Sequence, residues 1–284
     1  MSFMEYNNFE KIFNEQIFEH SKAKLLENIA NEPNRYIGLF RPTKPKGKLL
    51  QNLLQSHEIR MGNAFEILFE EYFKIFGYHL LQKNFPSKKL NIDQCFKYEN
   101  NIYFIEQKIR DDHDSSKKRG QIDNFEDKLK LMIDTYGEEE LIGIFYFIDP
   151  ELRKNENYYR QELSNLENAY NVRIYLLYGK ELFEFLNKAN AWDEILDYLG
   201  RWKNSIPDLP ELNFDLNASA TFNEIKDLPT SIFRKLFENK EIFNDIVLTL
   251  FPEKKTLRLL LDYFKQKSNI SIYRTLYNDL NNLL

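Results

Sequence analysis

The chain has 284 residues, 43% of them hydrophobic and 29% charged, with 24 Phe and 17 Tyr. That composition is globular and sized for one large domain or two modest ones, and nine Gly and nine Pro exclude a collagen-like or loop-dominated fold. The lone Cys95 excludes an intramolecular disulfide and a cysteine zinc site, and a formal charge of -5 means that any polyanionic partner must be met by a local basic patch.

A reducing cytoplasm is the simplest home for such a chain. No stretch approaches about 18 uninterrupted apolar residues, so no membrane span is expected. The opening Met1-Ser2-Phe3-Met4-Glu5-Tyr6 has neither the basic nor the apolar region of a signal peptide.

Residues 3–30 read as helix, with Phe9, Ile12, Phe13, Ile17 and Phe18 at helical spacing. Two prolines and a glycine then predict a loop over residues 41–48. From Arg35 to Arg60 six basic residues, including Lys44, Lys46 and Lys48, face one acid, Glu58. This stretch is either a solvated connector or an arm that touches backbone phosphates. A second helix is expected from Gly62 to Phe76, its buried stripe formed by Phe65, Leu68, Phe69, Tyr72, Phe73 and Phe76 and its end set by Gly77.

After Pro86 the period changes to two. Over residues 89–98, Leu90, Ile92, Gln94 and Phe96 fall on one face, and Asn91, Asp93 and Cys95 on the other. Glu99-Asn100-Asn101 is a turn, and residues 102–109 form the second strand of a hairpin. Residues 110–120 read as a hydrophilic loop. A helix follows from Gln121 to Tyr136, closed by Gly137. Residues 141–148 are almost wholly apolar, as a strand covered on both faces should be. A helix over 157–170 and a short strand over 172–178 complete a β-β-α-β-α-β order. That order predicts an α/β fold: a mixed β-sheet core flanked by helices. From Gly179 onward only helices are expected, with a boundary near residues 205–210 and a helical C-terminal region.

One constellation is suited to chemistry. Asp93 lies on the first hairpin strand, Glu106 and Lys108 on the second. Glu106 and Lys108 are two apart and so share a face. If Asp93 faces them, two carboxylates and an ammonium converge. Two carboxylates suit a hard cation such as Mg2+. Such a cation polarises a phosphodiester and helps to generate hydroxide, while a lysine stabilises charge or orients the water. Glu-x-Lys alone is uninformative here, because it recurs at Glu126, Glu224, Glu238 and Glu253. Those four lie in or beside expected helices. Only Glu106 sits on an apolar strand, where charges are costly unless they face a site. The competing reading is an edge strand whose polar face is simply wet.

Asn91-Ile-Asp93 and Tyr103-Phe-Ile-Glu106-Gln-Lys108, with the surrounding α-β-β-α-β order, resemble the PD-(D/E)xK nuclease superfamily, in particular type II restriction endonucleases. The resemblance covers roughly residues 60–180. Ile92 stands where the family has its proline. The resemblance implies a restriction-endonuclease-like fold, with Asp93 and Glu106 as metal ligands for Mg2+ and Lys108 as the catalytic lysine. It divides the chain into an N-terminal helix and basic loop (1–60), a nuclease core (61–200) and a helical region for dimerisation or recognition (201–284). Glu66 resembles an extra acid that some members carry on the preceding helix; its plain reading is a polar-face glutamate. Gln121 echoes a Gln-x-x-x-Tyr helix motif of exonuclease-like relatives; its plain reading is a polar residue at a helix N-terminus.

Lys117, Lys118 and Arg119 precede an expected helix N-terminus, which itself favours phosphate, and are read as DNA contacts over the alternative of a solvated connector. His113 is a proton carrier, a base contact or a plain surface histidine. Asp111, Asp112 and Asp114 are a second metal cluster or, more cheaply, a hydrated loop. The activity implied is Mg2+-dependent cleavage of double-stranded DNA at a short sequence, leaving 5'-phosphates. The partners implied are a second copy in a homodimer and a cognate DNA methyltransferase acting on the same site. A repair nuclease of the same fold and a non-enzymatic helical interaction protein are the alternatives. Nucleotide-binding glycine loops and a Gly-x-Ser-x-Gly elbow are absent, and the histidines at 20, 57, 79 and 113 lack zinc-ligand spacing.

Overall fold

The computed structural model describes residues 2–18, 21–138 and 140–284. In chain order it contains α1 (Tyr6–Ile17), α2 (Ser21–Asn31), α3 (Asn34–Ile37), α4 (Pro45–Ile75), β1 (His79–Leu80), β2 (Asn84–Phe85), β3 (Leu90–Asn91), β4 (Gln94–Tyr98), β5 (Asn101–Lys108), α5 (Ser115–Tyr136), β6 (Leu141–Phe147), α6 (Glu156–Tyr170) and β7 (Arg173–Tyr178). Helices follow: α7 (Lys180–Phe185), α8 (Ala189–Ser205), α9 (Ala218–Ile225), α10 (Thr230–Glu238), α11 (Lys240–Ile242), a π-helical turn at Phe243–Val247, α12 (Leu248–Leu250), α13 (Lys255–Gln266) and α14 (Ser271–Leu283). The mixed α/β class, the sheet core and the helical C-terminal region are as the pattern predicts. No helix among the described residues is long and apolar enough to cross a membrane.

The chain forms two compact units, one of residues 1–13 and 62–205, the other of residues 14–61 and 206–284. The first is built on a five-stranded sheet in the order β1-β4-β5-β6-β7. β4 and β5 are the predicted antiparallel hairpin; β5, β6 and β7 run parallel. Every residue of β6 is buried, as its unbroken apolar run requires. One face of the sheet packs Phe104, Phe145 and Phe147 against Phe125, Leu129 and Met132 of α5 and Tyr159 and Leu163 of α6. On the other face Phe73 of α4 meets Phe96, with ring centroids 4.7 Å apart, and Phe69 meets Tyr146 at 5.8 Å. Gly143 leaves room for the first core: a Cβ there would lie 2.9 Å from the Phe104 ring and 3.2 Å from Phe125.

The second unit is helical. Leu25, Leu26 and Ile29 of α2 share a core with Phe233 and Phe237 of α10, Leu257, Leu260 and Phe264 of α13, and Leu276 and Leu280 of α14. Its buried Asp215 accepts backbone N–H bonds from Glu253 (2.9 Å) and Thr256 (2.8 Å), capping the start of α13.

Four local expectations differ from the structure. The helix predicted over residues 3–30 is two helices, α1 and α2; Glu19 and His20 between them lie outside the described residues. The loop predicted over 41–48 ends at Lys44, because Pro45 opens α4, a position where proline's missing N–H costs nothing. Lys46 and Lys48 are therefore helical, and α4 continues through Gly62 to Ile75. The helix predicted from Gln121 begins at Ser115, because the Asp114 side chain accepts the Lys117 N–H and caps it. Finally, the alternation over 89–98 is interrupted by a bend at Asp93, and Ile92 joins the same core as Cys95 instead of the opposite face.

Candidate active site

The register of β4 on β5 pairs Gln94 with Ile105. Continued by one residue, it sets Asp93 opposite Glu106, where cross-strand side chains share a face. At the bend the Asp93 side chain takes over the role of a strand carbonyl: its Oδ2 accepts the Gln107 backbone N–H at 2.8 Å. Lys83 steadies the same point, donating to the Asp93 carbonyl at 3.2 Å and to Glu70 Oε2 at 2.6 Å.

Glu106 and Lys108 continue the face that carries Phe104, towards α5. Lys108 Nζ donates to Glu106 Oε1 at 2.5 Å and lies 3.8 Å from Asp93 Oδ2. The three residues expected to converge thus lie together. A fourth joins them. Lys128, in the middle of α5, contacts Glu106 Oε2 and reaches Asp93 Oδ1 at 3.3 Å. Its only sequence signal is Glu126-Asp-Lys128, one of the Glu-x-Lys repeats that helical context sets aside.

The Glu106 side chain is 1% exposed, that of Lys128 6% and that of Lys108 27%, so solvent reaches the cluster past Lys108. Burial alone would lower the Lys108 pKa, but Glu106 and Asp93 outweigh it and the net displacement is upward. Glu66, on α4, is half-buried beside this cluster. Burial, then the Asp93 carboxylate, push its carboxyl up to about 7. Its carbonyl accepts the Gln94 amide at 2.6 Å, tying α4 to the hairpin. Beneath the site Gln94 Oε1 and Gln107 Nε2 are buried without a hydrogen-bond partner.

The remaining candidates lie on α4, on α5 and in the segments just before them. Lys44 and Lys46 are exposed, whereas Lys48 is half-buried and donates to Gln51 at 2.9 Å. Lys117, Lys118 and Arg119 do not precede α5 but lie within its first turns, because the Asp114 cap starts the helix earlier. Lys118 also touches Asn155 Oδ1 at 3.2 Å and lies 4.4 Å from the centre of the Tyr158 ring. Gln121 Oε1 accepts the Tyr159 hydroxyl at 2.5 Å, which fixes that amide against α6. Burial, then Lys117, hold the His113 imidazole below its usual pKa, and its ring lies 3.4 Å from Asp112. Asp111 is fully buried and accepts from the Asn155 backbone and side-chain amides, both at 2.8 Å, and from Tyr178 at 3.2 Å. Its oxygens are thus committed to protein donors. Among the described residues no group of three or more His, Cys, Asp or Glu is arranged to hold a metal, and this holds for the acids at 111, 112 and 114 as for those at 66, 93 and 106.

No curated protein and no solved structure matches the chain significantly. The family described as type II restriction endonuclease, HinfI, matches residues 5–84 and 77–203, which include Glu66, Asp93, Glu106, Lys108 and Lys128. The match spans well over half of the sequence, and the chain belongs to the HinfI family of type II restriction endonucleases.

Proposed function

We propose that the protein is a Mg2+-dependent enzyme that cuts double-stranded DNA at a short specific sequence and leaves 5'-phosphate ends, with Asp93, Glu106 and Lys108 as its catalytic residues. The observation that carries this reading is the convergence of two buried carboxylates, Asp93 and Glu106, across a strand pair in a chain of an endonuclease family.

The donor set fits the ion. Both ligands are hard carboxylate oxygens, and Mg2+ is commonly held by one or two carboxylates, with water and phosphate completing its shell. The Lys128 ammonium meets one oxygen of each acid and the Lys108 ammonium lies near the other two, so both carboxylates are turned towards shared cations. Asp93 and Glu106 would hold the ion there, with Glu66 as a further acid beside them. When bound, Mg2+ supplies polarisation of the phosphate and acidification of water. Lys108, at the solvent side of the site, orients the attacking water and stabilises charge developing on the phosphate. The Gln107 N–H holds Asp93 Oδ2, fixing the direction of that carboxylate.

Two basic clusters suit a polyanion. Lys46 and Lys48 lie in the first turn of α4 with Lys44 just before it, and Lys117, Lys118 and Arg119 lie in the first turns of α5. Cations at a helix N-terminus oppose its dipole, a cost of a few tenths of a kcal/mol each at exposed positions. A phosphate partner offsets that cost, because it is attracted by both the cations and the helix terminus. Gln121 extends the α5 cluster. A homodimer matching a palindromic site, with residues 201–284 supplying dimer contacts or base readout, and a cognate methyltransferase protecting the same site complete the reading.

The test is incubation of the purified protein with unmethylated phage DNA, in Mg2+ or in EDTA, beside Asp93→Ala. Discrete bands that need Mg2+ and vanish in the variant are expected. A smear of products would favour a repair-type nuclease, and intact DNA from correctly folded protein under every condition would overturn the proposal.

A further inference from the structure

Two ammonium groups serve the two carboxylates of the site, and they differ in place. Lys108 Nζ takes Glu106 Oε1 and Asp93 Oδ2 from the solvent side. Lys128 Nζ takes the other pair, Glu106 Oε2 and Asp93 Oδ1, from within the fold. The Lys128 side chain is 6% exposed and rises from a stretch of α5 whose neighbours Phe125, Leu129 and Met132 are fully buried. A lysine is costly in such surroundings unless paired. Here it is paired twice, with the two acids read above as ion ligands. Its ammonium thus lies against one oxygen of each carboxylate. An ammonium held against the same two oxygens would repel a divalent ion on those carboxylates.

We infer that Lys128 is a resident counter-cation of the acid pair, a positioning residue that competes with a divalent ion for these two carboxylates. This inference rests on the reading of Asp93 and Glu106 as ion ligands. Without the ion, the ammonium prevents two opposed carboxylates from repelling each other and keeps them aimed at one point. If the acids held an ion, the ammonium would have to give up these contacts, and its flexible four-carbon stem would let it stay close by. Ion affinity is therefore lower than two preformed carboxylates would give, by the cost of breaking the lysine's contacts. A lysine that merely neutralised buried charge, away from the ion's position, would not compete with the ion.

The experiment measures Ca2+ binding to the full chain without DNA, by calorimetry, and thermal unfolding in EDTA and in Ca2+. The variants are Lys128→Met, which keeps length and suits the apolar surroundings, and Lys128→Arg, which keeps the charge. If displacing the ammonium costs at least about 1.4 kcal/mol, Lys128→Met binds Ca2+ on the order of tenfold or more tightly than the wild type. It should also unfold at lower temperature in EDTA and regain stability in Ca2+, while Lys128→Arg follows the wild type. Unchanged or weaker Ca2+ binding by folded Lys128→Met overturns the inference. Should that variant fold in neither condition, Lys128→Gln carries the same comparison. Asp93→Asn separates the two readings. Loss of Ca2+ binding there, with affinity indifferent to residue 128, removes only the role of Lys128. Ca2+ binding that survives Asp93→Asn removes the ligand assignment itself.

Discussion

Glu66 gives the sharpest quantitative prediction. Burial, then the neighbouring Asp93 carboxylate, raise its carboxyl from an ordinary 4.5 to about 7. The folded protein therefore binds this proton more tightly than the unfolded chain does. The associated stability is fully present below pH 4.5 and is lost as pH rises through 7. At about 1.36 kcal/mol per pH unit, a displacement from 4.5 to about 7 corresponds to at most about 3 kcal/mol. Glu66 is only half-buried, so solvent screening reduces this to roughly 1–2 kcal/mol. Glu66→Gln removes the titration and keeps the shape. Its stability relative to the wild type should rise by that amount between pH 5 and pH 8. The assay is urea denaturation of both proteins at the two pH values in EDTA, where other carboxylates titrate alike and cancel in the difference. A wild-type-to-variant difference that is the same at both pH values would refute the reasoning, because it would mean that the folded site does not hold the proton.

Other parts of the molecule yield further tests. Lys108→Met should lower the DNA cleavage rate by on the order of 10²–10³-fold while leaving urea stability within about 1 kcal/mol, since its side chain is the most exposed of the cluster; single-turnover cleavage at saturating enzyme checks this. The double variant Lys44→Ala, Lys46→Ala should weaken DNA binding and reduce the slope of log affinity against log salt by about 2, read by fluorescence anisotropy in Ca2+ across a salt series. Gly143→Ala should destabilise the first unit by roughly 1–3 kcal/mol, because the new Cβ would lie 2.9 Å from the Phe104 ring and 3.2 Å from Phe125. Asp111→Ala should cost on the order of 2–4 kcal/mol, because it strands two amides of Asn155 and the Tyr178 hydroxyl in the interior; thermal unfolding reads both core variants.

The hairpin and its acids are legible in the sequence because they follow a local rule. A period of two, broken by a polar turn, sets β4 against β5, and Glu106 and Lys108 on one face. The starts of α4 and α5 are less legible, because periodicity needs apolar residues and the first turns of both helices have few. The signals that mark them are chemical: proline where its missing N–H is harmless, at Pro45, and a capping carboxylate, at Asp114. Lys128 is not legible at all. It lies 20 residues beyond Lys108, on a separate element, in a Glu-x-Lys triplet like those elsewhere in the chain. Only the packing of α5 on the sheet shows that its ammonium meets Asp93 and Glu106.

That packing and the site geometry have one cause. Side chains alternate along a strand, so a one-residue slip of β4 against β5 would move Asp93 from opposite Glu106 to opposite a residue facing the other side. What opposes the slip is the aromatic stack of the far face. Phe96 lies between Tyr78 and Tyr103, with ring centroids 4.9 and 5.0 Å away, and meets Phe73 at 4.7 Å. On the near face Cys95 and Phe104 enter the core with Phe125 and Leu129 of α5. Those contacts also set the placement of α5, and hence how far Lys128 reaches. The apolar residues on both faces therefore hold the acids opposed, with the Lys128 ammonium against both. The cost of opposing two buried carboxylates is met by the surrounding hydrophobic packing and by the Lys128 ammonium, and the charged groups occupy the end of a strand whose middle, residues 102–105, is apolar.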